Sequence, residues 1–114
     1  MLAEESSAFT MRTDASSTVE WISPSVTAVL GWLPEELIGG NGLDFVHPDD
    51  LAAFSVGALR VGPGEKVTTR GRGRAADGSD RWVSQVTTPY YDDRRELVAR
   101  IGGFQEIVAE VEAQ

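Results

Sequence analysis

Cysteine is missing from this chain, and histidine and lysine occur once each, as His47 and Lys66. Without thiols there are no disulfides, no thiolate zinc sites and no cysteinyl adduct with a flavin or other chromophore. With one histidine and no Gly-x-Ser-x-Gly or P-loop motif, an acid–base or nucleophilic site would rest on carboxylates, which cluster at helix starts and loops. Uninterrupted apolar runs extend only a few residues, far short of the ~20 that cross a bilayer. The first ten residues also lack the basic and apolar regions of a signal peptide, so a cytoplasmic location without membrane contact is expected. Cationic residues are scarce too: 10 Lys and Arg against 18 Asp and Glu give a net charge of −8, which repels nucleic acid and anionic lipid.

A chain of 114 residues with 41% hydrophobic content is the size of one domain with a single core. Residues 6–14 and 17–23 alternate as a strand pair, with Phe9 and Met11 on one face and Val19 and Trp21 on one face of the second strand. Ser23-Pro24 opens a helix to Gly31, and Pro34 opens a single turn that ends at Gly39-Gly40. Residues 39–42 are expected as flexible linker. A third helix is expected from Pro48 to about Arg60, with Leu51, Phe54 and Ala58 along one face, broken by Gly62-Pro63-Gly64. Pro48 suits the first helical position, Asp49 and Asp50 face the positive end of the helix dipole, and His47 becomes the cap. Three antiparallel strands follow, at 65–76, 80–90 and 96–108, joined by Asp77-Gly78-Ser79 and by residues 92–95. Residues 106–114 look like the start of a further helix.

In the first of these strands Arg70, Arg72 and Arg74 share one face, and Thr69, Gly71 and Gly73 the other. A face so small cannot fill a core. Inward glycines mark either close backbone approach or space for a ligand, and Gly102 and Gly103 in the last strand add to the case. The competing expectation is that Phe45, Phe54 and Phe104 fill that space. The arginine face is expected to be solvated and to pair with carboxylates; interleaved aromatics, which nucleic-acid binding would want, are missing there. Gly71 to Ala76 formally fits a dinucleotide fingerprint, but it leads into a hairpin turn where that motif requires a helix. Alternation puts Arg100 on the side of Gly102 and Phe104, where it would meet a ligand carboxylate. Because its strand is apolar on both faces, an outward placement is equally open.

The run Leu30-Gly31-Trp32-Leu33-Pro34-Glu35-Glu36-Leu37-Ile38-Gly39, then His47-Pro48-Asp49-Asp50, then Asp77-Gly78-Ser79-Asp80-Arg81-Trp82-Val83, taken in that order, resembles a PAS domain over about residues 9–108. The resemblance implies an α+β fold, a five-stranded antiparallel sheet with short helices on one face, preceded by an extension at 1–8 and followed by a linker helix from 109. It implies a non-catalytic sensory or protein-interaction domain of a larger signal-transduction protein, with a C-terminal output domain. Matched to the family, Val83, Gln85 and Thr87 face a pocket together with Val67, Thr69, Gly71 and Gly73 of the neighbouring strand. Val29, Phe45 and Phe54 cover that pocket from the helices, and Arg100, Gly102 and Phe104 complete it. Such a pocket suits a small apolar or amphipathic ligand such as a fatty acid. Trp82 and Val86 are expected outside, at a homodimer interface. Some members hold haem through a histidine, but the capping position of His47 argues against metal or haem ligation here. Where the family often closes its last strand with Asp-Ile-Thr, this chain has Glu106-Ile107-Val108, and where a glycine is common before that strand it has Arg94. Two rivals remain: a ligand-free dimerisation module, and a small cavity enzyme, which would need a carboxylate of raised pKa inside the pocket.

Overall fold

Five segments, β1 (Ala8–Asp14), β2 (Val19–Ile22), β3 (Val67–Arg74), β4 (Asp80–Tyr91) and β5 (Leu97–Glu106), form one antiparallel sheet in the order β2-β1-β5-β4-β3. Between β2 and β3 lie α1 (Val26–Leu30), α2 (Pro34–Leu37), two 3₁₀ turns at Gly42–Phe45 and Pro48–Asp50, and a helical stretch at 51–54. The computed structural model describes residues 8–54 and 65–107. The expected N-terminal extension through residue 7, Ala58, the helix end at Arg60, the Gly62-Pro63-Gly64 break and the terminal helix from residue 108 lie outside the described residues. Among the described residues no helix is long and apolar enough to cross a membrane.

The core lies where α1 and α2 meet β1 and β2: Phe9, Val19, Ile22, Val26, Val29, Leu30, Leu37 and Ala75 form one buried cluster. Burying each of these aliphatic or aromatic side chains stabilises the fold by about 1.5–3 kcal/mol, apart from the smaller Ala75. Phe9 and Phe104, direct partners across β1 and β5, stack with centroids 4.6 Å apart and 9° between planes.

Local chemistry moves several boundaries. In β2 the pairing runs Met11 with Ile22, Arg12 with Trp21 and Thr13 with Val19, skipping Glu20. This bulge adds a residue and turns Val19 and Ile22 inward while Trp21 faces out, so the expected shared face of Val19 and Trp21 is corrected. α1 starts later than expected, because the turn after Ser23 closes through three-residue bonds from Val26 to Ser23 and from Thr27 to Pro24. It ends at Gly31, whose φ of 86° is left-handed. Residues 39–42 are no free linker: Gly39 N–H donates to the carbonyl of Val19, Val19 N–H to that of Gly40, and Gly42 N–H to that of Ser17. β5 runs through Glu106, and Ile107 N–H still donates to the Trp82 carbonyl, so the helix expected from Glu106 does not begin there.

β3 is an edge strand, and an unprotected edge invites pairing with other chains. Here the segment after the first 3₁₀ turn covers it. Val46 bridges Gly73, His47 N–H donates to the Arg72 carbonyl, and Arg72 N–H donates to Asp50 Oδ2 at 2.8 Å.

Candidate functional site

The inner faces of the strands and the short helices enclose a cavity of about 110 Å³. From β1 come Phe9, Met11 and Thr13, from β4 Val83, Gln85 and Thr87, and from β5 Arg100, Gly102 and Phe104. The register explains this convergence: Phe104 lies opposite Phe9 and Gln85, Gly102 opposite Met11 and Thr87, and Arg100 opposite Thr13. Residues so paired point to the same side of the sheet. Leu30, Trp32, Leu37 and Phe45 close the opposite side. Trp32 is held there by donation from Nε1 to the Arg74 carbonyl at 2.8 Å and by an edge contact with Phe45 at 5.4 Å between centroids.

Of the residues anticipated for this site, the structure brings Phe45, Phe54, Gly73, Val83, Gln85, Thr87, Arg100, Gly102 and Phe104 to the cavity lining. Four others are elsewhere. Val29 is fully buried in the core cluster. Val67 and Thr69 pair with Thr87 and Gln85 but do not line the cavity. Gly71 is covered by Phe54: a Cβ on Gly71 would collide with Phe54 Cε2 and lie 3.2 Å from Asp50 Cβ. At Gly71, then, the glycine serves close approach by an aromatic ring, and the expectation of aromatic filling holds there. Gly103 faces away, with nothing within 4 Å of a Cβ built on it, which corrects its inclusion with the inward glycines. At Gly102 a Cβ would meet Gln85 Nε2 at 2.7 Å, so the missing side chain gives Gln85 its room. Met11, Thr13 and Trp32 were missed in the sequence, although the alternation from Phe9 places both Met11 and Thr13 on the cavity side.

Charge around the cavity is arranged unevenly. Arg72 bends round the edge of β3 to Asp50, donating from Nε to Oδ2 at 2.9 Å and from its terminal nitrogen to Oδ1 at 3.2 Å. The hydrogen bond from Arg72 is the main cause that holds the Asp50 carboxyl below its ordinary pKa. The same guanidinium lies 5.0 Å from the Trp82 ring, a cation–π distance. Asp50 is therefore a clamp between the helical segment and β3 as well as a first-turn charge. His47 caps the turn at Pro48, its Nδ1 accepting from Asp49 N–H at 3.0 Å. Asp77 is lowered mainly by the Ser79 hydroxyl, and Asp14 mainly by the Ser16 hydroxyl. Among the described residues no Asp or Glu lines the cavity, and no cluster of His, Asp and Glu could hold a metal ion.

On the outer face Val86 is 39% exposed and Trp21 48%. Trp82 is half-buried beneath Arg72. Of the arginine face, Arg70 and Arg74 are exposed, while Arg72 pairs with Asp50 on the connecting segment.

A single antiparallel sheet packed over short helices, with a largely apolar hollow between them, defines a small α+β domain. The family described as PAS fold matches residues 19–103, and the chain belongs to that family, whose members are generally sensory, non-catalytic domains of signalling proteins. Among solved structures, the PAS-B domain of Drosophila melanogaster Cycle with bound ethylene glycol is similar at 25% identity and TM-score 0.81, over 87% of this chain and 99% of that one. A tryptophan-to-alanine variant of that domain with bound glycerol is similar at 26% identity, with TM-score 0.81 and the same coverage of 87% and 99%. The N-terminal domain of a diguanylate cyclase with a PAS/PAC sensor from Marinobacter aquaeolei shares the fold at 23% identity and TM-score 0.77, over 91% and 98% of the two chains.

Proposed function

We propose that this chain is the non-catalytic sensory domain of a larger cytoplasmic signalling protein, and that it binds a small amphipathic molecule in the cavity beneath its sheet. The observation that carries this reading is the hollow itself. Packed cores rarely leave such space, and here it is bordered by the Thr13, Thr87 and Gln85 side chains among apolar ones. An engineered cavity of ~150 Å³ takes up benzene, so about 110 Å³ fits a ligand of that order or smaller, shorter than a long-chain fatty acid. The ethylene glycol and glycerol bound to the similar Cycle domains are of this size. Self-association through the outer face near Trp82 and Val86, and coupling to a C-terminal output domain, complete the proposal.

A ligand-free dimerisation module is the second reading, favoured by Phe54 filling the floor over Gly71. Native mass spectrometry of the purified chain, followed by solvent extraction, separates the two. The sensor reading expects an added mass, or one that appears on incubation with glycerol at millimolar concentration. A mass that stays at that of the polypeptide in both samples favours the scaffold.

A further inference from the structure

Arg100 Nε is buried and has no hydrogen-bond partner, alone in this among the side-chain nitrogens and oxygens of the described residues. Other arginines nearby are engaged. Arg12 pairs with Glu20 at 3.0 Å, Arg72 with Asp50 at 2.9 Å, and Arg81 approaches Asp77 and Glu106 at 3.8 Å each. Arg100 instead lines the cavity, where no carboxylate of the described residues reaches it. A guanidinium stays charged at any pH a protein meets, and a buried donor without an acceptor is destabilising. Its setting favours an anion: Arg100 stands opposite Thr13 on β1, and Thr87 lies one inward position along β4, opposite Gly102. Both threonines are buried, and their hydroxyls are further donors. Gly102 puts no side chain between the guanidinium and the hollow.

We propose that the cavity takes a short-chain monocarboxylate, with its carboxylate on Arg100 between Thr13 and Thr87 and its alkyl tail against Met11, Val83 and Phe104. This rests on the reading of the cavity as a ligand site. Of the two arginines that line the cavity, Arg72 is already paired with Asp50, so Arg100 is left to match one negative charge, and the second charge of a dicarboxylate would be buried without a partner. The volume sets the size at about four carbons, by comparison with benzene in ~150 Å³.

Titration calorimetry of the whole chain with butyrate and with 1-butanol tests this, alongside the NMR signal of the Arg100 Nε–H. Butyrate is expected to bind roughly tenfold or more tighter than 1-butanol, as a charge-assisted hydrogen bond gives, and to move the Nε–H signal where 1-butanol leaves it in place. In Arg100→Met the preference is expected to vanish while 1-butanol still binds. Should that variant not fold, the comparison of the two ligands on the native chain decides alone. Equal affinity for the two, or butyrate binding without a shift of the Nε–H signal, overturns the carboxylate assignment. Binding of 1-butanol without butyrate removes this inference and leaves the ligand site standing; binding of neither removes both.

Discussion

Gly71→Ala is expected to lower unfolding stability by about 1–2 kcal/mol, although alanine is the better strand residue. The added Cβ would collide with Phe54 Cε2, so the Phe54 ring has to leave its seat. Phe54 is 7% exposed, and displacing it forfeits about 2–3 kcal/mol of burial and packing. Against this stands the gain of about 0.5–1 kcal/mol from replacing glycine in a strand. The displacement wins. Urea denaturation of Gly71→Ala, Phe54→Ala and the double variant checks the cause. In the Phe54→Ala background the Gly71→Ala substitution becomes neutral or stabilising, because the space it needs is then free. Additive losses in the double variant contradict the proposed contact.

The second large effect lies at the edge of β3. Asp50→Ala removes the acceptor for Arg72 N–H, Nε and a terminal nitrogen, at 2.8, 2.9 and 3.2 Å. Bonds to a carboxylate of this kind contribute about 1.5–3 kcal/mol, and the arginine recovers part of that from water. A loss of about 2 kcal/mol corresponds to a fall in Tm of roughly 8 °C for a chain of this size. A pH dependence follows from the same pair. Because the hydrogen bond from Arg72 holds the folded pKa of Asp50 below that of an ordinary carboxyl, the unfolded chain binds the proton more readily. The stabilisation is thus fully present above the unfolded pKa, and it is lost as pH falls through the depressed folded value. The native chain should lose stability more steeply than Asp50→Ala in that acid window, so their melting temperatures converge on acidification. Parallel curves would show that Asp50 does not carry the effect.

The order of elements was readable from the turn signals and the resemblance to the PAS family, and the facing of β3 from its strict alternation, which fixes which side each residue faces. The same rule reached Gly73 and put Arg100 on the side of Gly102 while leaving an outward placement open, whereas Gln85 and Thr87 came from the resemblance to the PAS family; all five line the cavity. It failed at Trp21, where a bulge at Glu20 resets the alternation and leaves no mark in composition. It also failed at Gly103, where two adjacent glycines hide the fact that neighbours in a strand point opposite ways. Gly71 shows a different limit. Glycine is equally suited to an empty floor and to a ring pressed on the backbone, and only the position of Phe54 distinguishes them. The role of Asp50 was half legible: its place in a first turn shows in the sequence, whereas the clamp on Arg72 depends on a contact across 22 residues.

Central to the account is that a small molecule occupies the hollow between the sheet and the short helices. Gly73 offers a direct way to close it, since a Cβ there meets Leu30 and Phe45 only at 3.8 Å, leaving room for a larger side chain to grow into the cavity. The decisive measurement is an NMR titration of the native chain and of Gly73→Val with 1-butanol. The native chain should show saturable shifts at Thr13, Thr87 and Gly102, and the folded variant should show none. Saturable shifts at those three residues in both proteins, or in neither, would contradict the account.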